Sequence, residues 1–501
     1  MFPRNRWCVL AIVSSALLLI TVDMTVLYTA LPTLTHDLAA TASEKLWIVN
    51  AYALVVAGLL PGLGTLGDKI GHRRMFMAGL LVFGLASLLA AFAPTAPRLI
   101  MARIILGAGA AMMMPATLSI IRMTFTDSSE RALALGVWGA ISSGGAALGP
   151  VLGGILLEHF HWGAVFLVNL PVLAAAFISG ALLLPKDRIG QARPWSPVSS
   201  LLIMIGLVGV TYAIKESARP SPSPAAALAA LAAGCAALAL FIRAQRKSRA
   251  PLIDFSLFRD RVFSHGVITA LLMSLTMIGV ELALSQRFQL VNGLSPLRAG
   301  LAIIPLPLAA FVAGPLAGLA LPRLGARRIL FCSLALAAAG LAGLLLLQQG
   351  GGQAWSQSGG LAQGACIAIL GLGAGASMSV ASISIMDRAP ARSAGMAASI
   401  EEVSYELGGA LGIAVFGSIL SAVYTASLAL PPELAPLGMA YDSLDAAILA
   451  AEALPGQAAA TLLDLARASF DKAFAVVLAV GAALSAALAA FFLLRGGRKE
   501  V

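Results

Sequence analysis

The sequence has few charged residues and few residues that could bind a metal ion or form disulfides. Only 11% of its 501 residues are Asp, Glu, Lys or Arg, against about 25% in soluble domains. Cys8, Cys235, Cys332 and Cys366 lie far apart in apolar segments, without the spacing of a metal site or a disulfide framework. The five histidines lie at or beyond the ends of predicted helices. These shortages argue against a metalloenzyme and a disulfide-stabilised secreted domain, and we expect no cofactor.

Apolar residues make up 59% of the chain, and the mean hydropathy is +0.92. Stretches of about twenty apolar residues can cross a bilayer as helices. We find fourteen such stretches, from 8–31 to 472–494. The pattern predicts an all-α membrane protein with fourteen transmembrane helices. The sequence shows no nucleophile-and-base set for an enzyme and no soluble output domain for a sensor.

The net charge of +10 is explained by the placement of the basic residues. If the N-terminus is cytoplasmic, most Lys and Arg side chains fall in segments on the cytoplasmic side, as the positive-inside rule requires. The distribution of the positive charge therefore predicts that both termini are cytoplasmic. It also predicts that the protein is embedded in a lipid bilayer. It gives no reason to expect a nucleic-acid partner.

A weak internal repeat divides the chain. The segment 64–76 (GTLGDKIGHRRMF) is similar to 318–330 (GLALPRLGARRIL), and each follows an apolar helix. The repeat predicts an N-terminal six-helix half at 1–185, two inserted helices at 186–262, and a C-terminal six-helix half at 263–501. Repeats of this kind are typical of secondary transporters.

The segment at about 423–471 is predicted to lie outside the membrane. Leu444–Leu454 and Ala458–Phe470 within it are amphipathic, which predicts a short helical hairpin at the outer surface. The hairpin either gates the exit or only packs on the rim.

Three acids occupy one predicted membrane helix, Ser399–Ser418. Glu402 and Glu406 share one helical face, while Glu401 shares a neighbouring face with Tyr405, because successive residues differ by about 100°. A carboxylate at bilayer depth costs about 2.5–3.5 kcal/mol on insertion scales. These acids are therefore expected to face a cavity. The alternative is that some of them lie at a hydrated end of the helix.

Two further helices carry charges. Asp23 lies near the middle of the first helix. Burial favours the neutral form of a carboxyl group, so Asp23 can bind a proton or a cation, but not both. Arg103 needs a carboxylate such as Asp23, or else it extends to the outer interface beside Arg98. Glu281 either faces the cavity or lies near the outer end beside Arg287.

Four motifs carry a resemblance to a known family. Residues 64–76 resemble motif A of the major facilitator superfamily, and 99–111, which contain Arg103, resemble motif B. Gly145–Gly154 resemble motif C, which marks antiporters, and residues 21–32 resemble the first-helix motif of the fourteen-helix drug:H⁺ antiporter family, with Tyr28 where Asn is usual. Most of residues 8–494 are similar to the QacA/SmvA-type quaternary-ammonium exporters.

The resemblance implies the major facilitator fold and roles for individual residues. Conformational roles are implied for Gly64, Asp68, Gly71, Arg73, Arg103, Gly149, Pro150, Gly153 and Gly154. Proton-coupling roles are implied for Asp23, Glu402 and Glu406. We expect the substrate to contact Asp23, Glu401, Glu402, Glu406, Tyr405, Asn50, Trp47, Tyr52, Met114, Trp138 and Glu281, because aromatic faces and methionines suit organic cations. Asn50 stands where the family has an acid, and the tenth helix of this chain contains no acidic residue. We therefore expect the protein to transport a narrower range of dicationic substrates than the family does.

The sequence thus predicts a monomeric, proton-coupled multidrug efflux antiporter in a bacterial inner membrane. Its substrates would be lipophilic organic cations such as quaternary ammonium compounds, cationic dyes and biguanides, and the coupling ion would be the proton. The alternative is a proton-coupled exporter of a neutral or anionic metabolite or antibiotic with the same fold. The excess of intramembrane acids argues against anions.

Overall fold

The computed structural model describes residues 4–185, 196–217, 223–248, 251, 255–349, 357–388, 394–434 and 438–494, which contain no β-strand. The α-helices in these ranges are α1 (Arg4–Asp37), α2 (Ala42–Ile70), α3 (His72–Ala91), α4 (Ala96–Thr124), α5 (Ser128–His159), α6 (Ala164–Leu167), α7 (Asn169–Leu183), α8 (Pro197–Ser217), α9 (Pro224–Lys247), α10 (Arg261–Gln286), α11 (Pro296–Ile303), α12 (Pro305–Leu324), α13 (Ala326–Gln349), α14 (Gln357–Arg388), α15 (Ala394–Ser427), α16 (Leu444–Glu452) and α17 (Gly456–Leu494). Short 3₁₀-helices span Phe255–Arg259 and Gly438–Tyr441, and a π-helical turn spans Arg287–Val291.

Thirteen helical segments in the described ranges are long and apolar enough to cross a membrane. Helices α6 and α7 together form one of them, and α11 and α12 form another. Helix α5 has 32 residues, of which Leu148–His159 form a shorter apolar stretch. The predicted all-helical membrane fold is confirmed, whereas the count of fourteen and the side of the termini stay predictions.

Local sequence signals define several helix ends. Thr41 and Glu44 form a reciprocal capping box at the start of α2, which satisfies backbone N–H groups that a helix end leaves free. Gly71, between α2 and α3, has φ 105°, and Gly325, between α12 and α13, has φ 77°. Both glycines hold the eighth position of the predicted repeat, so the two segments share a turn that favours glycine.

The buried side chains form two large clusters. One consists almost entirely of residues between Val9 and Leu184, and the other of residues between Met273 and Phe492. We call helices α1–α7 the N-half and α10–α17 the C-half. The exact predicted boundaries stay predictions, since residues 186–195 lie outside the described ranges.

Helices α8 and α9, which the sequence predicts to be inserted between the halves, pack against each other. Helix α8 also contacts α2 of the N-half and α15 of the C-half. Ala57, Leu207 and Ala410 belong to one small apolar cluster there. The inserted pair therefore lies against the cleft between the halves.

The hydrogen bonds and ion pairs that join described residues of the two halves lie toward one end of the bundle. We call this the outer end; α1 ends there and α2 begins there. The bonded pairs are His36–Glu452, Ala42–Asp442, Lys45–Asp445, Glu158–Ser295, Tyr28–Ser285 and Thr29–Gln289. In this structure the halves are thus held together at the outer end.

The segment 423–471 differs in part from the prediction. Its first predicted helix is present as α16. The prediction of a second, separate helix at Ala458–Phe470 is wrong, because α17 begins at Gly456 and continues without a break to Leu494. Asp471 and Lys472 interrupt the apolar pattern, but neither residue breaks a helix.

Candidate functional site

Asp23 of α1 is fully buried, and both of its carboxylate oxygens have partners. Nη1 of Arg103 in α4 donates to Oδ2 at 2.6 Å. Nδ2 of Asn169 in α7 donates to Oδ1 at 3.1 Å and lies 3.3 Å from the Ser87 hydroxyl oxygen. Buried charges are stable only when they are paired and hydrogen-bonded. The pair therefore neutralises the charge of both residues inside the N-half.

Arg103 is held by α2 as well. Its Nε donates to the Ile48 carbonyl oxygen at 3.2 Å, and its guanidinium carbon lies 4.5 Å from the centre of the Tyr52 ring. A guanidinium stacks favourably on an aromatic face. The sequence left open whether Arg103 pairs with Asp23 or extends to the outer interface beside Arg98. The structure shows the buried pair with Asp23.

Asn169 and Ser87 were missed by the sequence reasoning. Asn169 lies in the apolar run AVFLVNLPVL, and a polar side chain in such a run signals a buried hydrogen-bond partner. Nothing local in the sequence indicates that this partner is Asp23, which is 146 positions away.

The three glutamates of α15 point in two directions. The Tyr405 hydroxyl donates to Glu401 at 3.2 Å, and its oxygen lies 3.4 Å from the Met378 carbonyl oxygen of α14. Glu401 thus lies against α14, inside the C-half. Glu402 and Glu406 interact electrostatically with Tyr52 of the N-half, and Glu402 also interacts with Glu401 and Tyr405. The structure separates the same two faces that the helical periodicity separated.

Glu402 and Glu406 make no hydrogen bond or ion pair within the described part of the chain. Glu406 is 6% exposed, and its Oε2 is buried without a partner. Arg103 acts on Glu406 electrostatically, but Asp23 already pairs with this arginine. The two glutamates therefore face the N-half with uncompensated negative charge whenever they are ionised.

Glu281 of α10 also lies at the junction of the halves, and we call Glu281, Glu402 and Glu406 together the acidic group. It interacts electrostatically with Tyr28 of α1, as does Glu406. Acids from two C-half helices thus converge on aromatic side chains of the N-half. The sequence left two positions open for Glu281, one facing the cavity and one near the outer end beside Arg287. In the structure Glu281 lies against α1 and makes no ion pair with Arg287 in the described residues. Arg287 pairs with Asp471 at 2.8 Å.

Asn50 and Tyr52 of α2, both predicted to contact the substrate, have buried polar groups without a hydrogen-bond partner in the described residues. Asn50 is fully buried, and in the described residues neither its side-chain oxygen nor its nitrogen has a partner. The Tyr52 hydroxyl is also buried without a partner there. A buried polar group without a partner costs about 1–3 kcal/mol, so these groups are available to a ligand or to water.

Trp47 lies against the inserted pair. The Lys215 ammonium nitrogen of α8 lies 4.1 Å from the centre of its ring and donates to the Ser43 carbonyl oxygen at 3.0 Å. The ring face that was predicted to contact a substrate cation is thus covered by a side chain of the protein itself. Sequence reasoning missed Lys215 because the contact joins an inserted helix to α2.

Met114 and Trp138 lie within the N-half. Met114 is 7% exposed and belongs to the N-half core. Nε1 of Trp138 donates to the Thr117 hydroxyl at 3.2 Å. The predicted contact of these two side chains with a substrate stays a prediction.

Motif A lies at the end of α2. A side chain at Gly64 would meet Pro115 of α4, with 3.6 Å between Cβ atoms. The guanidinium of Arg73 donates to the Ala181 carbonyl oxygen of α7 at 2.5 Å. Asp68 lies in α2, and its side chain is outside the part that the structure describes. The loop therefore packs α2 and α3 closely onto the rest of the N-half.

Motif C lies where α5 passes between α1 and the C-half. A Cβ at Gly149 would collide with the Thr25 hydroxyl, and one at Gly153 would lie 2.7 Å from a Val26 methyl carbon. These small residues let α1 and α5 approach closely.

The same motif also contacts the other half. A Cβ at Gly154 would collide with the backbone of Leu297 in α11, and Gly300 of α11 lies directly against the Pro150 carbonyl. Motif C thus forms a close contact between the halves toward the outer end.

Comparison with known proteins agrees with this architecture. The sequence profile described as "Major Facilitator Superfamily" matches residues 13–413. The fold is similar to a bacterial homologue of the human lysosomal transporter Spinster, with a TM-score of 0.65, 16% identity, and 99% of each chain covered.

Two curated bacterial proteins are similar over nearly their full length. The multidrug efflux pump LfrA of Mycolicibacterium smegmatis is 40% identical over 493 residues, which are 97% of this chain and 96% of LfrA. The methyl viologen resistance protein SmvA of Salmonella typhimurium is 39% identical over 476 residues, 95% of each chain. With its many spanning helices, the protein is a multi-pass protein of the bacterial inner membrane. It is a transporter rather than an enzyme, and the chain belongs to the Major Facilitator Superfamily.

Proposed function

We propose that this protein is a multidrug efflux antiporter that exports lipophilic organic cations in exchange for protons by alternating access. The proposed substrates are quaternary ammonium compounds, cationic dyes and biguanides. The names of the two curated relatives, a multidrug efflux pump and a methyl viologen resistance protein, support the drug-export part.

The observation that carries the proposal is the excess of acid at the junction of the halves. Asp23 is matched by Arg103, but Glu281, Glu402 and Glu406 have no such partner in the described residues. An enclosed group of carboxylates is unfavourable unless protons or other cations neutralise it. Such a group binds either protons or an organic cation, and this competition is what an antiporter needs.

We assign the exchange itself to Glu402 and Glu406, and we include Glu281, which acts on the same tyrosine as Glu406. Tyr28 lies close to Glu281 and Glu406, and an aromatic ring at this position favours an organic cation over a hydrated metal ion. Binding of the cation from the cytoplasm releases protons, and protons from outside displace the cation.

Asp23 takes part in this scheme through Arg103. Its carboxylate cancels a positive charge that would otherwise lie beside the cation site. Asp23 thereby sets the charge beside the cation site, while its own oxygens stay bonded to Arg103 and Asn169.

The proposal is tested with everted membrane vesicles that hold a proton gradient. Addition of ethidium or a quaternary ammonium compound should dissipate the gradient in vesicles that contain the protein, and should not in vesicles that contain the Glu402→Gln/Glu406→Gln double variant. If no organic cation dissipates the gradient, the drug–proton proposal is wrong.

The panel should include methyl viologen as a dication, an uncharged drug and an organic anion. The second candidate function, export of a neutral or anionic compound, predicts a response to the uncharged drug or the anion and none to the cations. A response to monovalent cations but not to methyl viologen would fit Asn50 in α2 and the absence of acids from 298–321.

A further inference from the structure

Helix α1 contains a backbone carbonyl that its own helix cannot satisfy. Pro32 lies inside α1, and proline has no N–H group for the carbonyl four residues earlier. The Tyr28 carbonyl therefore lacks its regular helical donor. A buried carbonyl group of this kind needs a donor from elsewhere.

The donor comes from the opposite half. The buried Ser285 hydroxyl of α10 donates to the Tyr28 carbonyl oxygen at 2.9 Å. Nε2 of Gln289 donates to the next carbonyl oxygen, that of Thr29, at 3.0 Å, and to the Ser285 hydroxyl oxygen at 3.2 Å. Two C-half side chains thus bind the α1 backbone at the proline, toward the outer end.

The C-half holds Gln289 in a fixed position. Gln289 lies in the π-helical turn Arg287–Val291 that follows α10, and π-turns often occur at functional sites. Nε of Arg287 donates to Asp471 of α17 at 2.8 Å. The turn is therefore tied to its own half on one side and bonded to the N-half on the other.

The same face of α10 continues toward the acidic group. Glu281, Ser285 and Gln289 are spaced four residues apart, so they lie along one stripe that faces α1. The bonds from Ser285 and Gln289 to α1 therefore lie about one and two turns outside Glu281. Separation of α1 and α10 at this point would admit outside water to that acid.

We propose that Ser285 and Gln289 are positioning residues that hold the outer gate closed by binding the α1 carbonyls at Pro32. When the gate opens, water can replace both donors, since the separated surfaces line an aqueous vestibule and not lipid. The bonds are thus reversible. The inference rests on the alternating-access part of the proposed function.

The test is a distance measurement that needs neither substrate nor transport. Spin labels are placed at Arg98→Cys and Gln457→Cys, exposed positions toward the outer ends of the N-half and C-half, in a background in which the four native cysteines are serine. Pulsed electron resonance on the purified protein gives the shares of short and long distances. Loss of one such hydrogen bond corresponds to a shift of about 2- to 10-fold in that ratio.

We expect Ser285→Ala and Gln289→Ala to raise the long-distance share. Ser274→Ala is the matched control, because the Ser274 hydroxyl donates at 2.7 Å from the same helix to the Tyr405 carbonyl oxygen inside the C-half; this variant should leave the distribution unchanged. If Ser285→Ala and Gln289→Ala give the parent distribution, the proposal is overturned, whether or not the protein transports cations.

A second variant tests the role of the proline. Pro32→Ala restores an N–H group that can satisfy the Tyr28 carbonyl from within α1. Ser285→Ala should then shift the distances less in the Pro32→Ala background than in the parent, because the two changes act on one carbonyl. Equal shifts in both backgrounds would contradict the assignment of that carbonyl.

Discussion

The guanidinium of Arg103 lies 2.6 Å from the carboxylate of Asp23, and both side chains are almost completely buried. The pair divides the intramembrane charges into two groups. The N-half is internally neutral at this pair, whereas Glu281, Glu402 and Glu406 have no ion-pair partner among the residues that the structure describes.

The first prediction concerns this pair. Asp23→Asn leaves the Arg103 charge unmatched, and loss of one partner of a buried ion pair costs about 3–5 kcal/mol. We expect cation binding to weaken more than about tenfold, measured as the dissociation constant of ethidium for the purified protein. In Asp23→Asn/Arg103→Gln the unmatched charge is gone, so part of the affinity should return. If the double variant binds as weakly as the single one, Asp23 acts directly and not through Arg103.

The second prediction separates the glutamates of α15. Glu406→Gln removes an unpaired charge that faces the N-half, and hydrogen bonds to charged groups contribute about 1.5–3 kcal/mol. Ethidium should therefore bind about 10- to 100-fold more weakly. Glu401→Gln is the matched control, since Glu401 lies against α14 and bonds Tyr405; its effect should be several-fold smaller. The opposite order of the two effects would refute the assignment.

The third prediction concerns motif C. Gly154→Ala places a Cβ against the backbone of Leu297 in the other half, and overpacking costs about 1–3 kcal/mol. The outer ends should separate in a larger share of molecules, about fivefold or more, by the same spin-label distance. Gly144→Ala in the same helix is the control, because a Cβ there meets nothing within 4 Å. Equal distributions for the two variants would show that this contact does not hold the halves together.

The fourth prediction concerns the outer segment. The ammonium group of Lys45 in α2 pairs with Asp445 of α16, and both are buried. Lys45→Met and Asp445→Asn each leave a buried group without its partner, so each should lower the apparent Tm of the purified protein. The double variant should recover part of the loss. Additive losses would indicate that the ion pair does not connect α16 to the N-half.

Sequence reasoning recovered what depends on local pattern. Apolar runs gave the membrane helices, and the 100° periodicity separated Glu401 from Glu402 and Glu406. The repeat placed Gly71 and Gly325 in equivalent turns. Because a buried arginine must be neutralised, the sequence pattern alone suggests Asp23 as a partner of Arg103.

Contacts between distant helices could not be predicted in this way. Nothing near Asn169 in the chain indicates its bond to Asp23, and nothing near Trp47 indicates that Lys215 covers its ring. The bond between Ser285 and the Tyr28 carbonyl also depends on how the halves meet. The sequence identified which residues need partners, and the three-dimensional packing determined which partners they have.

The most direct test of the central claim is proton release on cation binding. Ethidium or a quaternary ammonium compound is added to the purified protein in a weakly buffered solution, and the pH change is recorded. If Glu402 and Glu406 bind either protons or the cation, saturation should release about one proton or more per bound cation, and Glu402→Gln/Glu406→Gln should release few or none. Saturable cation binding by the parent protein with no proton release would contradict the account.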